Sequence, residues 1–193
     1  MKTRILFIIF TILISMTAKG QENTNDTALL LIDIQYFYYP SGKTELVNPE
    51  QAGKNAKKLL EHFRKNNMTV VHIRHNVEVG GNIHEDVKPL PNEKVISKDE
   101  VNSFKNTDLL EYLKANKIKH LVICGMQTHM CVEAATRAAS DLDFDCIVIQ
   151  DACATRNLKF GDKEIKVEDV HYSTLSTLKS YAKIIDTKSY LNY

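Results

Sequence analysis

The run Leu121-Val122-Ile123-Cys124 is continuously apolar, stops at Gly125, and leads at once into the helix-like segment 128–141. A strand with one wet face alternates apolar and polar residues; one without alternation must be covered on both faces. The same kind of run recurs at 28–33, 69–73 and 144–149. Helix-periodic segments lie between, as at 49–66, where Ala52, Ala56, Leu59, Leu60 and Phe63 share one face. Such alternation predicts an α/β chain in three layers, α/β/α, with right-handed crossovers. Strands are also expected at 95–96 and 183–186, making a parallel six-stranded sheet with helices on both faces. Further helices are expected at 107–116, capped by Thr107, and at 166–181.

Residues 1–20 read as a secretory signal peptide: Lys2 and Arg4, then an apolar stretch from Ile5 to Ile14, then Ala18-Lys19-Gly20 as a small-residue cleavage pattern. The apolar stretch is short of the roughly 20 residues of a membrane span, so export to a periplasmic or extracellular space is expected, with no membrane partner after signal removal; an uncleaved membrane anchor is the other reading. Residues 21–27 form a polar leader, and 28–193 a single domain without repeats or linkers. Three of the 25 Lys and Arg fall in the signal, against none of the 24 Asp and Glu, so the remainder carries a small negative charge. That excludes the basic character of a nucleic-acid binder. Cys124, Cys131, Cys146 and Cys153 contain no CxxC pair, which argues against thioredoxin-like and most zinc frameworks. An oxidising compartment leaves a disulfide among Cys124, Cys146 and Cys153 open.

Parallel sheets bind ligands beyond the carboxyl ends of their strands, where the strand order reverses. Polar residues that end apolar runs are therefore the candidates. Cys131 follows the Gly125 turn and falls in the first turn of a helix, where unpaired N–H groups favour an anion and lower a thiol pKa; packing as a small hydrophobe is the other reading. Asp33 ends 28–33, where a carboxylate is costly unless paired or working, or else caps a turn. Lys98 ends Val95-Ile96-Ser97, as part of a site or as a solvated surface lysine. Together the three would make a nucleophile, a base and a balancing charge. Tyr36-Phe37-Tyr38-Tyr39 either walls a pocket or packs beneath a loop, and Phe104 has the same two readings. His75 and His84 are placed at the pocket mouth and His72 in the core or behind the site, and no HExxH or DxH accompanies them. The expected pocket set is Gln35, Phe37, His75, His84 and Phe104, under a cover formed by 76–94 with Gly80-Gly81 as hinge. Asp151, at another strand end, is expected to steady nearby loops.

Four landmarks occur in order: Leu30-Leu31-Ile32-Asp33-Ile34-Gln35; Val95-Ile96-Ser97-Lys98 with Ser103-Phe104; Val122-Ile123-Cys124-Gly125-Met126-Gln127-Thr128-His129-Met130-Cys131-Val132; and Gln150-Asp151-Ala152-Cys153-Ala154-Thr155. In these the chain resembles the isochorismatase-like cysteine hydrolases, a superfamily that includes nicotinamidases, N-carbamoylsarcosine amidohydrolase and ureide hydrolases. The likeness spans about 28–191. It implies a Rossmann-like sheet, a catalytic triad of Asp33, Lys98 and Cys131, and a cis peptide at 126–127. It also implies an oxyanion hole from the backbone N–H groups of Gln127 and Cys131, and a homo-oligomer. Metal-binding nicotinamidases carry Asp-x-His near the second strand, where this chain has His72-Ile73-Arg74-His75; no metal and no cofactor are expected. True isochorismatases lack the nucleophilic cysteine, so Cys131 argues against vinyl-ether hydrolysis. The expected function is a cysteine hydrolase that cleaves an amide, carbamoyl or ureide C–N bond of a small molecule through a Cys131 thioester. Two other classes stay open: a non-catalytic ligand binder on the same fold, which would show no turnover, and a thiol redox protein pairing Cys131 with Cys124 or Cys153, which would show a reversible disulfide.

Overall fold

Leu29, Leu30 and Ile32 are fully buried, as a strand with helices above and below must be. They belong to β1 (Thr27–Ile32). The computed structural model describes residues 26–192. The expected signal peptide lies outside the described residues, as does most of the expected leader, whose last residue, Thr27, opens β1. Among the described residues no helix is long and apolar enough to cross a membrane.

Six strands form one sheet, in the order β3 (Lys94–Lys98), β2 (Thr69–His75), β1, β4 (His120–Met126), β5 (Asp145–Ala154) and β8 (Ala182–Ile185). Every neighbouring pair is parallel. From β1 the chain steps outward to β2 and β3, then returns to β4 on the other side of β1. The order therefore reverses between β1 and β4, which leaves a crevice at their carboxyl ends. α1 (Pro49–Lys65) packs with α5 (Thr187–Leu191), and α3 (Glu133–Asp141) packs with α4 (Val167–Leu178). α2 (Leu109–Ala115) buries Leu109 and Leu113 completely. α1 starts with proline, whose fixed φ suits a first helical residue, and buries the stripe read from sequence.

Several boundaries differ from expectation. The segment read as one helix at 128–141 begins as a π-helical turn, Thr128–Val132, before α3. α2 is shorter than expected, yet Thr107 Oγ1 does accept the Leu109 N–H, at 3.4 Å. β5 runs on past the polar Gln150-Asp151 pair because a bulge absorbs it: Ile123 pairs with Val148, but Gly125 pairs with Cys153. A hairpin, β6 (Leu158–Phe160) and β7 (Lys163–Ile165), and α5 were not read from sequence. Gly125 has φ +134°, and a Cβ there would lie 1.9 Å from the Ile32 carbonyl oxygen. Only glycine lets β4 pass this close to the end of β1.

The connection from β2 to β3, expected to hinge at Gly80-Gly81, is strapped down by hydrogen bonds on both sides of that pair. Tyr36 and Phe37 donate their N–H groups to the carbonyls of Asn82 (3.1 Å) and Gly80 (3.0 Å), and His84 donates to Ile34 (2.8 Å). A Cβ on Gly81 would lie 1.9 Å from the Val77 carbonyl oxygen. The far end of the connection is fixed by Glu93. Its carboxylate receives Arg64 Nε and Nη2 at 2.7 Å each, the Leu90 N–H at 2.7 Å, and pairs with His72 Nε2 at 2.9 Å. Burial alone would raise the Glu93 pKa, but the hydrogen bonds from Arg64, Leu90 and His72 outweigh it and hold the carboxyl at about 2.

Because Glu93 titrates lower when folded than when unfolded, its stabilisation is present above about pH 4.5 and is lost as pH falls toward about 2. Glu93→Gln is expected to destabilise the protein by about 2–3 kcal/mol at pH 7, with its urea midpoint converging on the parent's in acid. Equal midpoints at pH 7 would show that Glu93 does not anchor the connection.

Candidate active site

Three strand ends converge on one point. Asp33 follows β1 with φ +50°, a left-handed conformation uncommon outside glycine that clusters at functional sites. Lys98 is the last residue of β3. Cys131 lies in the π-helical turn after β4. Lys98 Nζ donates to Asp33 Oδ2 at 2.8 Å and to Cys131 Sγ at 3.3 Å, and lies 3.4 Å from His75 Nδ1. The side chains of Lys98 and Asp33 have no exposed surface, and Cys131 is buried as well. Asp33 Oδ1 is buried without a hydrogen-bond partner, although the Cys131 thiol beside the carboxyl favours its charged form.

Burial dominates the electrostatics. It raises the Asp33 pKa, against the charge and hydrogen bond of Lys98 and the smaller effect of Cys131. It also pushes the Cys131 thiol up to about 12, helped by the Asp33 charge and opposed by Lys98. Desolvation and the neighbouring carboxylate thus act against the lowering expected of a helix start. The resting pair is a protonated thiol beside a base with one idle oxygen.

The turn that carries Cys131 is held from several sides. The Met126–Gln127 peptide is cis. The Gln127 carbonyl accepts the N–H groups of Met130 (3.0 Å) and Val132 (3.3 Å), which flank Cys131. Thr128 Oγ1 pairs with His171 Nδ1 at 2.9 Å, and His129 Nδ1 with Thr155 Oγ1 at 2.6 Å. The buried Gln127 side chain donates to the Tyr38 hydroxyl at 3.4 Å and accepts Arg156 Nε at 3.2 Å.

A family model for the isochorismatase domain matches residues 27–189. The chain belongs to the isochorismatase family of hydrolases. It is 45% identical over 177 residues to YddQ, an uncharacterized isochorismatase family protein of Bacillus subtilis, covering 86% of this chain and 98% of that one. A crystal structure described as an isochorismatase hydrolase of Oleispira antarctica superposes with a TM-score of 0.85 at 38% identity, covering 90% of this chain and all of that one. A shorter match, 37% over 68 residues, is to the ureidoacrylate amidohydrolase RutB of Cronobacter sakazakii, covering 35% of this chain and 29% of that one.

In this isochorismatase-family chain the five expected pocket residues part ways. His75 touches Lys98. Gln35 does not offer its carboxamide to a ligand: Nε2 donates to the carbonyls of His75 (3.0 Å) and Gly81 (2.7 Å), and Oε1 accepts the His75 N–H (2.8 Å). Phe37 packs on Tyr38, with centroids 4.0 Å apart. His84 lies flat on Tyr39 at 3.6 Å, and its Nδ1 accepts the Asp86 N–H. Phe104 stacks on Phe144, which follows the carboxyl end of α3, away from Cys131. Asp151 ties the β5 bulge to α1 and α5 through Asn55 (3.1 Å) and Thr187 (2.7 and 2.8 Å). His72 is engaged by Glu93, and among the described residues no group of three His, Cys, Asp or Glu is placed to hold a metal ion. Tyr38 was singled out only as part of the aromatic cluster, and Arg156 was missed, although it follows the Asp151–Thr155 strand end to which the same rule applies. A cavity of about 660 Å³ opens elsewhere, lined by Thr27, His120, Asp145 and Ala182 at the amino ends of their strands, remote from Asp33, Lys98 and Cys131.

A thiol held at about 12 has no thiolate plateau near neutrality. Inactivation by iodoacetamide, followed from pH 6 to 10, is expected to accelerate about tenfold per pH unit throughout. A rate already constant by pH 7 would mean that the thiolate is preformed.

Proposed function

We propose that this chain hydrolyses a non-peptide C–N bond of a small amide, carbamoyl or ureido compound through a thioester on Cys131. The observation that carries this reading is the pairing of one buried ammonium with both Asp33 Oδ2 and Cys131 Sγ, while Asp33 Oδ1 has no partner. A base with a free lone pair beside a protonated thiol is arranged for proton transfer at the moment of attack. Asp33 Oδ1 takes the thiol proton as Sγ bonds to the carbonyl carbon. Lys98 offsets the charge that develops. The oxyanion is received by the backbone N–H groups of Gln127 and Cys131, each such donor being worth about 10²–10³ in rate. Asp33 then passes its proton to the departing nitrogen, and the C–N bond breaks to leave the thioester. A water molecule, deprotonated by Asp33, adds to the thioester; the C–S bond breaks and the thiol regains the proton.

The local match to an amidohydrolase supports C–N chemistry. The thiol redox alternative lacks a reactive partner: Cys124, Cys146 and Cys153 are free and buried, with Cys146 and Cys153 pushed up to about 12 by burial and Cys124 raised by burial as well. Protonated, buried thiols are poor exchange nucleophiles. Arg156 narrows the substrate. It is exposed, and among the described residues its one hydrogen bond is Nε to Gln127, so its terminal nitrogens remain for a ligand. A guanidinium bonded to the Gln127 side chain, at the start of the nucleophile's own turn, favours a carboxylate on the substrate.

Ammonia release by the purified protein across primary amides, N-carbamoyl acids and ureido acids tests the reading. Cys131→Ala and Asp33→Asn are each expected to lose about 10⁴-fold or more in kcat; ordinary turnover by Cys131→Ala would sink the thioester route. Arg156→Ala is expected to raise KM about tenfold or more for carboxylate-bearing substrates and to leave neutral amides unaffected. An equal effect on both classes would remove Arg156 from substrate selection.

A further inference from the structure

We infer that His75 is a positioning residue for the triad lysine: its neutral imidazole, with Nδ1 as acceptor, takes the third N–H of Lys98 and fixes the ammonium against Asp33 and Cys131. This rests on the hydrolase reading given above. An ammonium has three N–H donors and no acceptor. Lys98 Nζ has three neighbours, Asp33 Oδ2 at 2.8 Å, Cys131 Sγ at 3.3 Å and His75 Nδ1 at 3.4 Å. The last distance is at the long end for a hydrogen bond, but Nζ makes no further hydrogen bond among the described residues. With the Lys98 side chain fully enclosed, losing the imidazole would strand one buried N–H and free the ammonium to rotate out of line.

The tautomer follows from the same contact. Lys98 can only donate, so Nδ1 must be bare and the ring proton sits on Nε2. Nε2 has no hydrogen-bond partner among the described residues.

Two features place the ring. His75 is the last residue of β2 and pairs in register with Lys98, the last residue of β3, so both side chains leave the sheet together. Gln35 then clamps the His75 backbone on both sides, accepting its N–H at 2.8 Å and donating to its carbonyl at 3.0 Å. The buried Gln35 carboxamide thereby sets the height of His75 above the sheet.

A second proton on His75 would turn Nδ1 into a donor facing a donor. The charged groups that face the ring are Lys98 from β3 and Asp33 from β1, with Cys131 beyond Lys98. Two cations would then compete for one carboxylate. Lys98 would lose its third acceptor, and activity would fall with the misplaced lysine.

The test compares His75→Ala with His75→Asn in the whole chain, reading kcat, KM and the pH profile of ammonia release. Asn Oδ1 occupies nearly the position of Nδ1 and accepts without titrating. His75→Ala is expected to lower kcat about tenfold or more with KM little changed. His75→Asn is expected to restore most of that loss and to move the acid limb of the profile to lower pH. Parental kcat in His75→Ala would overturn the inference. So would a His75→Asn protein of normal melting temperature that is as slow as His75→Ala, or an acid limb that does not move. A second measurement separates the role of His75 from the hydrolase proposal. If the parent protein turns over nothing in the panel, alkylation of Cys131 by iodoacetamide at fixed pH still reports the lysine: several-fold slower in His75→Ala, parental in His75→Asn. Equal alkylation in all three would again overturn the role of His75.

Discussion

Lys98 and Asp33 form an ion pair with no exposed side-chain surface, and most of what is unusual in the chain surrounds it. Burying such a pair is costly, and the acceptors gathered around Lys98 offset part of that cost. Reaching it from β3 requires Lys98 to pass over the end of β2, because β2 lies between β3 and β1. Asp33 must leave β1 in a left-handed conformation. β4 must come close enough to β1 to deliver the Cys131 turn, and that approach is what admits only glycine at 125. The sheet is thus shaped at its carboxyl edge by the need to surround one ammonium with acceptors.

The same enclosure sets the character of the nucleophile. A helix start and a nearby cation pull a thiol pKa down, while exclusion of water and a nearby anion push it up. Here the second pair of effects wins, and the thiol stays protonated. Such a sulfur is poorly reactive toward stray electrophiles and oxidants, so enclosure trades exposure for protection.

Much of this was legible in the residues. Continuous apolar runs pointed to the doubly covered strands, and polar residues at their ends pointed to Asp33, Lys98 and Cys131, because strand ends at a reversal of order are where a parallel sheet leaves space. What was not legible depended on backbone detail. Gln150 and Asp151 look like the end of a strand, yet a bulge carries β5 on to Ala154. The π-helical turn at Cys131 differs from an α-helical one by a single extra residue between hydrogen-bond partners, which side-chain periodicity does not report. Gln35 was expected in the pocket set, whereas its carboxamide nitrogen and oxygen both bond to neighbouring backbone. Partner identity of that kind is a property of two distant loops meeting, and no single stretch of sequence carries it.

The Gln35 bridge divides the rim of the crevice into unequal halves. On one side, residues 34–37 and 80–84 are laced together, so a change of length in either would pull on His75 and through it on Lys98. On the other side, the β6–β7 hairpin stands clear: Phe160 is 80% exposed, and a Cβ on Gly161 would meet nothing within 4 Å. Changes of length are therefore tolerated better in the exposed hairpin than in the laced segments.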